Sequence, residues 1–109
     1  MIVNRVSALQ ILERYLIEKE SKARHSYITF RMRGLTLFAR RRYNVINVNS
    51  LTQIAKLFLI RMHVAGLVDI YKTRYGYVYG VEKRNVAKII SRIREEIAYM
   101  QKVNAGAKT

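Results

Sequence analysis

Apolar residues recur at helical spacing near the start of the chain. Ala8, Leu9, Leu12, Tyr15 and Leu16 form one stripe, and Glu13, Arg14 and Glu18 fall outside it. The spacing predicts a first helix from Ser7 to Glu20. Ser7 with Gln10 three residues on fits a capping box, in which each side chain satisfies a backbone N–H left unpaired at the helix start; Val6 and Ile11 fit a hydrophobic staple. After the polar break Ser21 to Ser26, Tyr27, Ile28 and Thr29 read as a short strand. Thr29 also reads as the cap of a second helix, which runs to about Arg42 with Phe30, Leu35, Leu37 and Phe38 as its apolar residues. Gly34 inside that helix costs about 1 kcal/mol against alanine, which points to a kink or a close contact. Arg40, Arg41 and Arg42 fall in its last turn, where cations suit the negative end of the helix dipole and can equally grip phosphate.

The Asn-containing stretch Tyr43 to Asn49 reads as a turn, since Asn tolerates left-handed backbone angles. Ser50 and Gln53 repeat the capping-box signature and open a third helix, which ends at Gly66 with Leu67 packing back on its last turn. This helix is apolar over most of its circumference: Leu57, Ile60 and Val64 add to the core positions Leu51, Ala55, Phe58 and Met62. That pattern predicts burial on a second side, by the first and last helices. His63 reads as a packing or surface residue. From Leu67 to Val81 the composition turns β-branched and aromatic around Arg74-Tyr75-Gly76, a β-hairpin. Val86, Ile90, Ile93, Ile97 and Met100 are then spaced four, three, four, three, as in the a/d seam of a coiled coil. A disordered tail is expected from Asn104.

Composition bounds what this layout can do. With 109 residues, half of them apolar, the chain has room for one modest core. It has no cysteine and two histidines far apart, so no metal site and no cofactor are expected. Its apolar runs are broken by Arg, Lys or His well before the length of about 20 residues that a membrane helix needs, and charges come too early for a signal peptide. A soluble intracellular protein is the expectation. No Walker motif, GxSxG, HExxH or close carboxylate pair is found, and adjacent Glu95 and Glu96 point in different directions on a helix, so the reading is not an enzyme.

Charge changes the picture most. Lys and Arg number 21 against 7 Asp and Glu, a net +14, and self-repulsion of that size is normally relieved by a polyanion. From Ser21 through Val68 there is no acidic residue, while Lys22, Arg24, Arg31, Arg33, Arg40, Arg41, Arg42, Lys56 and Arg61 all fall there. Duplex DNA, structured RNA as bound by ribosomal proteins, and plain solubility charge remain open on this ground alone. Tyr71, Tyr75, Tyr77 and Tyr79 could form a base-stacking platform, although aromatic strand residues more often pack across strands.

Helix, helix, turn, helix, hairpin and long terminal helix, in that order, resembles the winged helix-turn-helix family, especially small archaeal MarR-like regulators and chromatin proteins. The most specific element is the run from Ile54 to Val68, which looks like the end of a recognition helix, an Ala65-Gly66-Leu67-Val68 junction and the first wing strand. The resemblance implies a mainly α fold with a β-hairpin wing over residues 1–81, a dimerisation helix over 82–103, and a tail over 104–109. It also implies that the third helix enters the major groove of double-stranded DNA while the wing touches the adjacent backbone or minor groove. Carried onto this chain, Ser50, Thr52, Gln53 and Lys56 are the candidates on the helix and Lys72, Arg74 and Tyr75 those at the wing; Ser50 and Gln53 can alternatively serve only as a cap. Arg31, Arg33, Arg40, Arg41 and Arg42 are the candidate phosphate contacts, and Val86, Ile90, Ile93, Ile97 and Met100 the interface of a homodimer. A cytoplasmic, nucleoid-associated transcription regulator or architectural protein is the expected function. A protein–protein adaptor in a nucleic-acid machine and an RNA-binding ribosomal-type protein are the alternatives.

Overall fold

A computed structural model describes residues 2–107. Helix α1 spans Arg5–Lys22, strand β1 Tyr27–Phe30, helix α2 Met32–Tyr43 and helix α3 Asn49–Val64. Strands β2 (Asp69–Thr73) and β3 (Gly76–Glu82) follow, then a 3-10 turn over Lys83–Asn85 and helix α4, Val86–Ala107. The architecture is mainly helical with one small antiparallel sheet.

Helix α1 starts two residues before the expected position, because its cap is Asn4 rather than Ser7. The Asn4 side chain accepts from the Ser7 backbone N–H at 2.9 Å, and Ser7 Oγ accepts from the Asn4 N–H at 2.9 Å. Ser7 therefore closes a capping box as its fourth member instead of opening one. Its stripe of Ala8, Leu9, Ile11, Leu12, Tyr15 and Leu16 is buried.

The second helix is shorter than its apolar pattern suggests. Thr29 and Phe30 belong to β1, whose alternation buries Ile28 and Phe30 and exposes Thr29. Arg31, not Thr29, stands at the start of α2, with no side-chain cap. β1 pairs antiparallel with β3, Tyr27 opposite Glu82 and Phe30 opposite Tyr79, so the hairpin gains a third strand in the order β1-β3-β2. The sheet's inner face reaches the helices through Phe30, which stacks on Tyr79 at 5.5 Å and meets Tyr15 of α1 edge-on at 5.6 Å. Gly34 is the expected close contact: a Cβ there would fall against the Tyr15 hydroxyl.

The two turns that orient α3 follow from their residues. α2 ends on Asn44 in the left-handed conformation, φ 52°, which turns the chain toward α3. At the far end Gly66, φ 79°, closes α3, and the Leu67 N–H donates to the Met62 carbonyl at 2.9 Å. His63 Nδ1 lies 2.8 Å from the Val68 carbonyl and ties that end to the hairpin.

Helix α4 lies antiparallel along α1, since Arg5 pairs with Glu96 and Arg94 with Glu13. Here the expected dimer seam is corrected. Val86 and Ile93, with Ile89, are fully buried in the chain's own core, and Ile90, Ile97 and Met100 pack against that core. The heptad spacing marks the face of α4 that covers α1 and α3, so Val86 and Ile93 are used inside the chain, while Ile90, Ile97 and Met100 stay partly exposed. One core cluster runs through both 1–81 and 82–103. The backbone stays helical to Ala107, where a disordered tail is expected from Asn104; residues 108–109 of that tail lie outside the described residues.

Candidate nucleic-acid interface

Helix α3 carries a split outer face. Its buried side is Leu51, Ala55, Phe58, Leu59 and Met62. Opposite them, the first half exposes Asn49, Ser50, Gln53 and Lys56, and the second half exposes Leu57, Ile60 and Val64. The expected second burial of these apolar residues does not occur: they are 63%, 49% and 83% exposed. Neither α1 nor α4 reaches them, because both pack on the other side of α3, where Phe58 and Met62 point. A helical projection finds the signal in the sequence, since 57, 60 and 64 fall opposite 51, 55, 58 and 62.

The candidate side chains on α3 do not all face outward. Thr52 is half-buried and its hydroxyl donates to the Asn49 carbonyl at 3.0 Å, so it is turned along the helix. The expected capping box at Ser50 and Gln53 is not formed, because α3 begins at Asn49 behind Val48 with no side-chain cap. Asn47 Oδ1 instead accepts from the Asn49 N–H at 3.0 Å. Ser50 and Gln53 are thus exposed, and no side-chain hydrogen bond holds either among the described residues. Asn49, missed in the sequence because the box pointed to a later start, joins them in the first turn.

The arginines sort by partner. Arg42 donates to both Glu18 carboxylate oxygens at 3.2 and 3.1 Å and lies over the Phe38 ring. The hydrogen bond from Lys22, with the charges of Arg42, Lys22 and Arg14, outweighs burial and holds the Glu18 carboxyl below its ordinary value. Arg61 donates to Glu96 at 2.8 and 3.0 Å. Arg33, Arg40, Arg41 and Lys56 are exposed and make no ion pair among the described residues. The carboxylates that do reach this region come from α1 and α4.

Arg31 has a different task. Its Nη1 donates to Thr73 Oγ1 at 3.2 Å and to the Tyr75 carbonyl at 3.4 Å, bracing the hairpin turn. Thr73 Oγ1 also accepts from the Tyr75 N–H at 3.2 Å and donates to the Gly76 carbonyl at 2.6 Å. Gly76, φ 106°, supplies the positive backbone angle. The braced turn presents Arg74 and the 82% exposed Tyr75, with Arg74 stacked over the ring at 5.9 Å, and Lys72 is exposed on the strand behind.

The tyrosines do not form one platform. Tyr79 is buried on the inner face, and its hydroxyl is pushed up first by that burial. Tyr71 belongs to the outer face, where its hydroxyl lies 2.9 Å from that of Tyr27. Of the four, Tyr75 and Tyr77 are exposed with no hydroxyl hydrogen bond among the described residues.

Among the described residues no group of acidic, histidine or cysteine side chains could hold a metal, and no helix is long and apolar enough to cross a membrane. Compared with protein-family models, with curated proteins and with solved structures, the chain matches none.

Proposed function

We propose that this chain is a winged helix-turn-helix protein that binds double-stranded DNA, with α2 and α3 as the helix-turn-helix and β2–β3 as the wing. The observation that carries the reading is the separation of charge. The acid-free segment from Ser21 to Val68 contains α2 and α3, and Arg33, Arg40, Arg41 and Lys56 have no carboxylate partner among the described residues. Unpaired cations on one pair of helices fit phosphates on either side of a groove, and the major groove is wide enough for a helix. Asn49, Ser50 and Gln53 are the exposed polar side chains of α3 that suit base edges, and Lys72, Arg74 and Tyr75 form the wing contact.

Thr52 drops out of the contact set, Arg31 serves by fixing the wing, and Arg42 is occupied by Glu18. The proposal is for a single chain as the binding unit, because the seam residues of α4 are used inside it.

The test is binding to a mixed-sequence duplex of about 30 base pairs across a salt series, with a Lys56→Ala/Arg74→Ala variant alongside. Six or more neutralised phosphates would lower affinity about a thousandfold between about 50 and 200 mM salt. The variant should bind more weakly with a shallower slope. Absence of binding at low salt would overturn the reading in favour of a protein adaptor, and preference for structured RNA would overturn it in favour of an RNA-binding protein.

A further inference from the structure

A helix that reads DNA is expected to be polar where it faces the groove, yet the outer stripe of α3 runs Gln53, Leu57, Ile60, Val64, at spacings of four, three and four. These residues share one line about 16 Å long at helical rise. Leu57 and Ile60 are 63% and 49% exposed, so they are not there to build the core. We propose that Leu57 and Ile60 read the 5-methyl groups of thymine in the major groove, which gives the protein a preference for A·T-rich duplex. This inference rests on the DNA-binding reading above.

The chemistry of the stripe selects that ligand. Phosphates and sugars offer an aliphatic side chain no specific contact, whereas the thymine methyl is the distinctive apolar group on the major-groove edge of a base pair. Gln53, one turn before Leu57, is the side chain type that pairs in bidentate fashion with adenine, the partner of thymine. The polar and apolar parts of the stripe thus favour the same base pair from its two sides. Lys56 flanks the stripe with no ion pair among the described residues, Arg61 at the other edge is held by Glu96, and no residue of α3 is acidic. That charge matches a polyanion. A second copy seated on the stripe would instead bring the unpaired Lys56 near its equivalent in a chain of net charge +14.

The experiment measures affinity for one A·T-rich duplex in three forms: with thymine, with uracil in every thymine position, and with 5-bromouracil, whose bromine replaces the methyl at similar size. Loss of one buried methyl corresponds to about fourfold in affinity, so the uracil duplex should bind about tenfold or more weakly and the bromouracil duplex should recover. A Leu57→Ser/Ile60→Ser variant, altered only at exposed positions, should bind the thymine and uracil duplexes equally while keeping the wild-type salt slope. Equal binding of thymine and uracil duplexes by the wild-type protein, with steep salt dependence retained, would overturn the methyl contact and leave DNA binding standing. Failure to bind any of the duplexes at low salt would overturn both. Self-association of the wild-type protein that the double variant abolishes would make the stripe a subunit interface and overturn the inference.

Discussion

The Tyr27 hydroxyl donates to Asp69 at 2.7 Å, crossing from one edge strand of the sheet to the other. It can do so only because the residue beneath it, on the central strand, is Gly80, where a Cβ would fall onto the tyrosine ring. Burial, then the bonds to Tyr71 and Asp69, push the Tyr27 hydroxyl well above its ordinary value, so it keeps its proton and remains a donor to Asp69. Gly80→Ala is therefore expected to lower unfolding stability by about 1–3 kcal/mol, the usual cost of overpacking. In a Tyr27→Ala background the same substitution should cost almost nothing. A double-mutant cycle in denaturant measures the coupling.

Glu18 links α1 to α2 through Arg42 and to its own helix through Lys22. Its carboxyl is held below the ordinary value of 4.5, so the unfolded chain takes up the proton first. The stabilisation is complete above about pH 4.5 and is lost as pH falls through the lowered folded value. Melting temperatures measured from pH 7 downward should fall below pH 4.5, and Glu18→Gln should flatten that acid limb.

Both of these contacts join residues far apart in sequence, and that is where reading the chain alone runs out. Helices α1, α3 and α4 and the hairpin announce themselves through local periodicity and turn chemistry, and Gly66 and Asn44 through residue types that tolerate the positive φ they adopt. Phe30 reads as part of the second helix because a short apolar run suits either element, and its partner Tyr79 lies on a strand far along the chain. The seam on α4 marks the correct face but not what covers it, since an a/d pattern is equally satisfied by a second copy or by α1 and α3. For the candidate site, residue type was legible and availability was not. Arg40, Arg41 and Arg42 look alike in the sequence, and only the position of Glu18 separates the third from the other two.

That separation predicts unequal roles within the arginine run. Arg40→Ala/Arg41→Ala should leave the melting temperature nearly unchanged and reduce the salt slope of duplex binding by about two, one for each phosphate no longer neutralised. Arg42→Ala should do the reverse. It removes an exposed ion pair and the packing of Arg42 on Phe38, so the melting temperature should fall by about 2–4 °C with little change in the slope. A slope lowered by about one in Arg42→Ala would mean that Arg42 leaves Glu18 when DNA binds.

The placement of Ile93 decides between an internal and an intermolecular use of the α4 seam. Its side chain is fully buried among the residues of its own chain, so Ile93→Ala opens a cavity in that core. The expected cost is about 2–5 kcal/mol. In a subunit interface the same substitution would act through dissociation, and the melting temperature would rise with protein concentration by mass action. Because the seam is internal, melting of both the wild type and the variant should be independent of concentration over a hundredfold dilution of about 100 μM protein. A concentration-dependent transition in the wild type whose concentration dependence Ile93→Ala abolishes would place α4 at an interface between copies.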